Sequence, residues 1–146
     1  MSLTTTFLGD VLSDYLRPHM DGELQGISVP GLAHIGDAVF ELMVRTWLCE
    51  HGASTAKGLH GGSVSFASAK AQAVAAERIL PELSEDELAV YKRGRNTRLN
   101  SIPRGSTLEE YHAATGLEAL FGYLYLSGKT ERLNELFAFV IENRLS

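Results

Sequence analysis

An all-α fold is predicted by three features of the sequence. Ser84 with Glu87, and Thr107 with Glu110, form two capping boxes that mark helix starts. The alanine-rich stretch at 65–77 has high helix propensity. No segment alternates apolar and polar residues as a half-buried β-strand does. From the length of 146 residues we expect a single domain that spans residues 1–146.

Proline, glycine and capping residues set the expected helix boundaries. We expect a first helix over 7–16, before Pro18, and a second from Pro30 to about Glu50, before Gly52. The glycine-rich segment at 58–62 is expected to be a non-helical break between the second and third helices. The remaining expectations are a third helix over 64–79, a fourth from Ser84 that fades near Gly94, an irregular basic loop over 93–106, a fifth from Thr107 to Leu126 that ends at Gly128, and a last helix over 130–145.

Composition and charge narrow the functional class. The net charge is −5, and the single cysteine, Cys49, cannot form an internal disulfide, which suits a reducing cytoplasm. No apolar run is long enough to span a membrane, and the N-terminus lacks the features of a secretory signal, so no membrane partner is expected. The charge is uneven, because residues 89–108 hold no acid but contain Lys92, Arg93, Arg95, Arg98 and Arg104.

Glu118 lies in the middle of an otherwise apolar helix. Residues 113–126 are almost wholly apolar, and a helix that is apolar on every side is a buried helix. A buried glutamate needs a partner, because an isolated carboxylate in the interior is so unfavourable that its pKa rises instead. The nearest cation in the sequence is Lys129, which lies beyond the helix end at Gly128.

Asp37 presents the same problem in a second helix. It lies within the largely apolar segment 35–40. Glu41 follows four residues later on the same helix face, and His34 lies one turn earlier. Glu41 is expected to pair with Arg45, four residues further on, rather than to bind a ligand.

A metal site would explain both acids. If the two helices pack together, Asp37 and Glu118 repel by roughly 3 kcal/mol at a separation of about 5 Å. A shared proton relieves this repulsion, and so does a divalent cation. Mg²⁺ favours one or two carboxylates together with water and phosphate oxygens, which is the arrangement used in phosphodiester hydrolysis. The alternative is that each acid faces solvent or pairs with a distant arginine such as Arg45 or Arg78.

Several segments of the chain resemble the ribonuclease III family. IGDAVFE at 35–41 resembles its signature helix, TGLEALFGYLYL at 115–126 resembles its second acidic helix, and SVSFASAKAQA at 63–73 lies between them in the same order. KRGRN at 92–96 and the chain length resemble the short branch, Mini-ribonuclease III. The resemblance implies a ribonuclease III-like helical bundle with no double-stranded-RNA-binding domain.

The resemblance assigns Asp37 and Glu118 as the catalytic and metal-binding acids. Larger members of the family have two further acids, at the positions of Ala33 and Thr115 here, which leaves the number of metal ions open. Glu41 is a candidate for outer support of the site and not an expected ligand. The family forms homodimers, so a homodimer is implied here, with His34 either at the subunit interface or in the core.

The implied reaction is Mg²⁺-dependent cleavage of double-stranded RNA that leaves 5′-phosphate ends. Analogy with the short branch implies maturation of the large-subunit (23S) ribosomal RNA precursor, with a ribosomal protein as an assisting partner. An RNA duplex is recognised through its shape, phosphates and 2′-hydroxyls. The expected RNA contacts are Lys92, Arg93, Arg95, Asn96 and Arg98, with Gly94 allowing close approach of the RNA; the alternative is a solvated basic helix end. Lys70 is expected to be solvated.

Two other functions fit parts of the pattern. Nucleotide pyrophosphohydrolases of the all-α class carry an EExxE cluster, but here Glu109 and Glu110 are followed by Ala113, so that cluster is absent. A non-catalytic RNA-binding module on the same fold is the second alternative, since two of the four family acids are missing. Such a module would bind RNA without giving a Mg²⁺-dependent product.

Overall fold

A computed structural model of the protein describes residues 14–52, 55–97 and 105–141. Six α-helices contain most of these residues and none of them lies in a β-strand, which confirms the all-α prediction. In chain order the helices are α1 Val29–Glu50, α2 Ala56–Ala67, α3 Ala69–Ile79, α4 Glu85–Arg95, α5 Leu108–Leu126 and α6 Thr130–Ile141, with short 3-10 helices at Gly22–Gly26 and Leu80–Glu82.

Local sequence explains where the main helices begin and end. The hydroxyl of Ser28 accepts a backbone N–H at the start of α1, and both predicted capping boxes form, at Ser84 for α4 and at Thr107 for α5. Gly52 and Gly128 follow α1 and α5 with φ values of 91° and 78°, a left-handed conformation that favours glycine. The predicted boundaries of α1 and α5 are therefore confirmed.

Helix α5 is the centre of the bundle. It packs against α1, α3 and α4, and its buried residues include Leu117, Phe121 and Leu124. The rings of Phe40 in α1 and Phe121 meet edge to face, with their centroids 5.5 Å apart. Because neighbouring helices cover α5 on several sides, Glu118 is drawn toward the interior with the rest of the helix.

The prediction for residues 58–79 is wrong in two respects. The glycine-rich segment at 58–62 lies inside α2 and does not break the chain. Gly62 instead makes room for α1, since a Cβ atom there would lie 2.7 Å from Cδ2 of Leu48. The break falls at Ser68, whose Oγ accepts the Ala71 N–H at 3.1 Å and caps α3. The single helix predicted over 64–79 is therefore two helices.

Helix α4 ends at Arg95, within one residue of the predicted end near Gly94. Arg93 and Arg95 are helical, so the predicted basic loop does not begin at Arg93, and the chain leaves the helix at Asn96. Cations in the last turn of a helix interact favourably with its dipole, which suits these arginines to their helical positions. Of the predicted basic loop, residues 98–104 lie outside the described residues.

The two terminal predictions are tested only in part. Residues 14–16 are not helical, which contradicts the end of the predicted first helix, and the remainder of that helix lies outside the described residues. The last helix begins at Thr130 as predicted and is described as far as Ile141. Within the described part of the chain, no helix has the length and apolar character needed to cross a membrane.

Candidate active site

Helices α1 and α5 touch backbone to backbone at two glycines. A Cβ atom on Gly36 would overlap the backbone carbonyl group of Glu118, and one on Gly122 would overlap that of Leu32. Both glycines are buried, and any larger residue at either position would force the helices apart. The close approach brings Asp37, the residue after Gly36, to the level of Glu118.

The carboxyl groups of Asp37 and Glu118 come together at this contact. Asp37 is exposed and Glu118 is half-buried. Burial raises the pKa of Glu118 to about 8, with hydrogen bonding to Asp37 and repulsion by its charge adding to the effect, whereas the side chain of Gln72 opposes it. The structure thus brings together, from two separate helices, the two acids that the sequence singled out, which lie 81 residues apart in the chain.

Within residues 14–52, 55–97 and 105–141, neither acid forms an ion pair with lysine or arginine. Arg45, one of the two arginines considered as a partner, donates instead to Glu41, with 2.6 Å between Nη2 and Oε1. This ion pair confirms the predicted role of Glu41. No ion pair with lysine or arginine in the described structure therefore relieves the repulsion between Asp37 and Glu118.

The pair suits a hard divalent cation. Two neighbouring carboxylates supply the oxygen ligands that Mg²⁺ prefers, and waters and phosphate oxygens complete its usual coordination. A cation bound between Asp37 and Glu118 would replace their mutual repulsion with attraction. The described residues contain no group of three or more His, Cys, Asp or Glu side chains able to hold a metal, so the protein ligands there would be these two.

Gln72 is a candidate site residue that the sequence analysis missed. Its side chain is only 2% exposed, and it interacts with Glu118 across the α3–α5 contact. It lies on the buried stripe of α3 with Ala75, Ala76 and Ile79, at offsets of three, four and seven residues. That spacing is the signal that could have identified it, because an amide on an apolar stripe needs an internal hydrogen-bond partner.

A cleft of about 350 Å³ leads to Glu118. Gln72, Tyr111 and Lys70 also line it, together with Ser68 at the junction of α2 and α3. Lys70 is exposed, as predicted, but its position in this cleft places a cation near the acid pair. The cleft therefore brings the Glu118 carboxylate, the Gln72 amide and the Lys70 ammonium group together, while Asp37 meets Glu118 at the α1–α5 contact.

Helix α4 also packs against α5, and its C-terminal end carries the basic residues. The residues that the sequence analysis assigned to RNA binding are exposed there: Lys92, Arg93, Arg95 and Asn96. Arg95 Nε donates to Asn96 Oδ1 at 3.3 Å, so these two side chains form a local pair at the helix end. Arg98 lies outside the described residues and stays a prediction.

Gly94 has a different role from the one predicted. It is buried, and a Cβ atom there would lie 2.8 Å from Cβ of Ala119 and 2.9 Å from the carbonyl oxygen of Thr115. The space beside Gly94 is filled by α5, so the expectation that it admits the RNA backbone is wrong. The contact instead fixes the basic end of α4 beside Thr115, less than one helical turn before Glu118.

His34 is exposed on α1, which rules out the core-histidine alternative. Ala38 and Leu42 follow at four-residue spacing and are exposed on the same helix face. Leu42 is 59% exposed. The helix that carries Asp37 therefore presents a partly apolar face to solvent.

Comparison with known proteins identifies the relatives of this chain. The Ribonuclease III domain family model matches residues 31–129. The chain is 42% identical over 111 residues to a Mini-ribonuclease 3 of Thermoanaerobacter sp. (strain X514), covering 76% of this chain and 78% of the relative. It is 37% identical over 122 residues to that of Enterococcus faecalis, covering 82% and 90%.

A solved structure shows the same fold. A crystal structure of a protein from Fusobacterium nucleatum superposes with a TM-score of 0.78 at 31% sequence identity. The match covers 86% of this chain and 96% of the crystallised one. The helices described above are therefore arranged as in a related protein of known structure.

Proposed function

This chain belongs to the ribonuclease III family and is an endoribonuclease, and we propose that it hydrolyses double-stranded RNA with Mg²⁺ held by Asp37 and Glu118. One observation carries the proposed mechanism. Two carboxylates from separate helices meet at a close glycine contact and have no Lys or Arg partner in the described part of the chain. Such an arrangement is unfavourable without a ligand and suits a divalent cation.

The chemistry divides between the ion and the protein. Asp37 and Glu118 would hold a Mg²⁺ ion between α1 and α5. When bound, the ion would supply an activated water and neutralise charge that develops on the scissile phosphate. Lys70, which lines the same cleft, attracts a phosphate group toward the acid pair and offsets their negative charge. The open cleft admits water, which is the second substrate of hydrolysis.

Binding of the RNA duplex is assigned to the basic end of α4. Lys92, Arg93, Arg95 and Asn96 are exposed there, and the Gly94 contact holds this end beside the helix that carries Glu118. Phosphates are accessible features of an RNA duplex, so these exposed cations suit contacts with its backbone. Arg98 is included in this proposal.

The active enzyme is proposed to be a homodimer in which each subunit cleaves one strand. The exposed face of α1 formed by His34, Ala38 and Leu42 is the surface assigned to the second copy, which would cover the Leu42 side chain. We further propose that the enzyme acts in the cytoplasm on the large-subunit (23S) ribosomal RNA precursor, with a ribosomal protein as an assisting partner. This assignment rests on the similarity to Mini-ribonuclease 3 proteins.

Cleavage assays on Asp37→Asn and Glu118→Gln test the proposal. With a defined RNA duplex and Mg²⁺, each variant should cut at least about 10³-fold more slowly than the wild type, since several kcal/mol of transition-state stabilisation are lost. Affinity for the duplex in a chelating buffer should change little. Glu109→Gln, which removes an exposed acid from the same helix as Glu118, is the matched control and should cut normally.

The outcomes separate the proposal from its alternative. Mg²⁺-dependent cutting that persists in either acid variant would show that the metal is held elsewhere. A wild-type protein that binds the duplex tightly but gives no Mg²⁺-dependent product would support the non-catalytic RNA-binding module. Products with 5′-phosphate ends, mapped at both strands of the duplex, are expected from the wild type.

A further inference from the structure

We propose that Gln72 is a positioning residue for Glu118: its side-chain amide holds one carboxylate oxygen so that the other is presented toward Asp37 and the cation. This inference rests on the proposed Mg²⁺ site. Its role is exerted through Glu118, since Gln72 itself is too buried to contact a bound duplex.

Burial makes the Gln72 amide dependent on an internal partner. The side chain is 2% exposed, and an amide removed from water without a hydrogen bond is strongly unfavourable. Glu118 supplies an acceptor, and both side chains line the same cleft. The rest of this buried stripe is formed by Ala75, Ala76 and Ile79, so a glutamine there replaces an apolar side chain in the core. A role in the site accounts for this departure from an apolar core.

The amide differs from a lysine or arginine at the same place because it is uncharged. It can donate an N–H to the carboxylate without neutralising it. Lysine or arginine at position 72 would neutralise Glu118 and compete with Mg²⁺. Glutamine orients the carboxylate and leaves its charge for the metal, in the way that outer partners orient metal ligands.

The position of Gln72 is fixed by the start of α3. Ser68 caps this helix, and the Gln72 backbone N–H donates to the Ser68 carbonyl group at 2.9 Å, so Gln72 lies in the first turn. Small residues at 75 and 76 are almost fully buried and let α3 lie close to α5. The break at Ser68, which the sequence analysis missed, thus sets the direction from which the amide reaches Glu118.

Measuring Mg²⁺ affinity of Gln72→Met tests the inference. Methionine keeps the unbranched shape and length but cannot donate a hydrogen bond. We expect its Mg²⁺ dissociation constant, measured by calorimetry without RNA, to rise about 10-fold or more, as is typical when a partner of a metal ligand is removed. The Mg²⁺ concentration for half-maximal cleavage should rise by a similar factor, whereas the duplex affinity in a chelating buffer should not change.

Ile79→Val is the matched structural control. Ile79 is fully buried on the same stripe of α3 but does not line the cleft, so this variant should lose stability and keep wild-type Mg²⁺ affinity. If Gln72→Met binds Mg²⁺ as tightly as the wild type while Glu118→Gln does not bind it, the inference is wrong and the proposed site stands. If Glu118→Gln also binds Mg²⁺ normally, the proposed site itself fails.

Discussion

Glu87 and Glu118 are two glutamates with limited exposure to water and opposite electrostatic surroundings. Glu87 in α4 accepts hydrogen bonds from Arg132, at 2.8 Å from both Nε and Nη2. These bonds, together with the backbone N–H of Ser84, hold the pKa of Glu87 below its usual value. Glu118 in α5 instead faces Asp37, and burial beside that second acid raises the pKa of Glu118 to about 8.

The difference separates a structural acid from a functional one. Arg132 also donates to the carbonyl group of Glu82 and to Glu135, so Glu87 ties the start of α4 to α6. Glu118 has no lysine or arginine partner within the described residues, and placing it beside Asp37 opposes folding. An acid retained in an unfavourable environment is a candidate for a ligand site. An acid paired with a cation, such as Glu87, needs no function beyond stability.

The glycine contact between α1 and α5 gives the largest expected effect. Gly36→Ala should destabilise the fold by about 3 kcal/mol, because its Cβ overlaps the carbonyl group of Glu118 and the helices must separate. Cleavage should fall with it, since Asp37 and Glu118 move apart. Thermal unfolding and duplex cleavage at a temperature where the variant remains folded measure the two effects.

Gly61→Ala is the control for that substitution. Gly61 is an exposed glycine inside α2, with nothing within 4 Å of an added Cβ atom. Alanine there should stabilise the protein by up to about 1 kcal/mol through helix propensity and leave cleavage unchanged. Equal stability of the Gly36 and Gly61 variants would show that the α1–α5 contact is looser than described.

Glu87→Gln tests the contribution of the acid that is paired with Arg132, and its effect on stability should depend on pH. At pH 7 the substitution should cost about 2 kcal/mol of unfolding free energy, because charge-assisted hydrogen bonds to Arg132 are weakened. Since the pKa of Glu87 is lower in the folded protein than the usual value near 4.5, its stabilisation is complete above that pH. It is lost as the pH falls through the folded-state pKa.

Denaturant unfolding of wild type and Glu87→Gln between pH 3 and pH 7 checks this sign. The difference in unfolding free energy between the two proteins should become smaller as the solution becomes more acidic. A gap that is the same at every pH would mean that the charge of Glu87 contributes nothing and that only the shape of its side chain matters.

Glu118→Gln should have the opposite, smaller effect on stability. In a chelating buffer at pH 8 the variant is expected to be more stable than the wild type by about 1–2 kcal/mol, because the folded wild type loses stability as the pH rises from near 4.5 toward 8. Added Mg²⁺ should reverse the order by stabilising only the wild type. A variant that is less stable in the chelator would contradict the view that Glu118 is unfavourable there.

Replacing Arg93 and Arg95 with alanine changes binding and not the fold. Each cation that no longer neutralises a phosphate should lower the dependence of log K on log salt concentration by about 0.7–0.9, so the pair should lower it by up to about 2. Lys57→Ala with Lys129→Ala removes two exposed charges from elsewhere and should leave the salt slope unchanged. The same slope in both double variants would remove the end of α4 from the RNA-binding surface.

Sequence patterns located the helices that have clear terminal signals. Ser84, Thr107, Gly52 and Gly128 mark ends through local hydrogen bonds and backbone conformation, so neighbouring residues are sufficient to predict them. The course of α2 through residues 58–62 was not predictable in this way. The glycines at 58–62 serve packing against α1, and tertiary contact overrides their helix-breaking tendency.

The candidate site shows the same limit. Asp37 and Glu118 could be predicted because an acid in an apolar segment is unusual wherever its helix packs. Gln72 was overlooked although its spacing placed it on the buried stripe of α3. The Glu87–Arg132 pair joins residues 45 positions apart, and no local pattern indicates which arginine approaches which acid.

Anomalous diffraction from crystals grown with Mn²⁺ in place of Mg²⁺ is the most direct test of the central claim. One or more anomalous peaks are expected within ligand distance, about 2.0–2.3 Å, of both the Asp37 and Glu118 carboxylates in the wild type, with loss of that density in Glu118→Gln. Ordered carboxylates without a peak, or either acid paired with an arginine from residues 98–104, would contradict the proposed metal site.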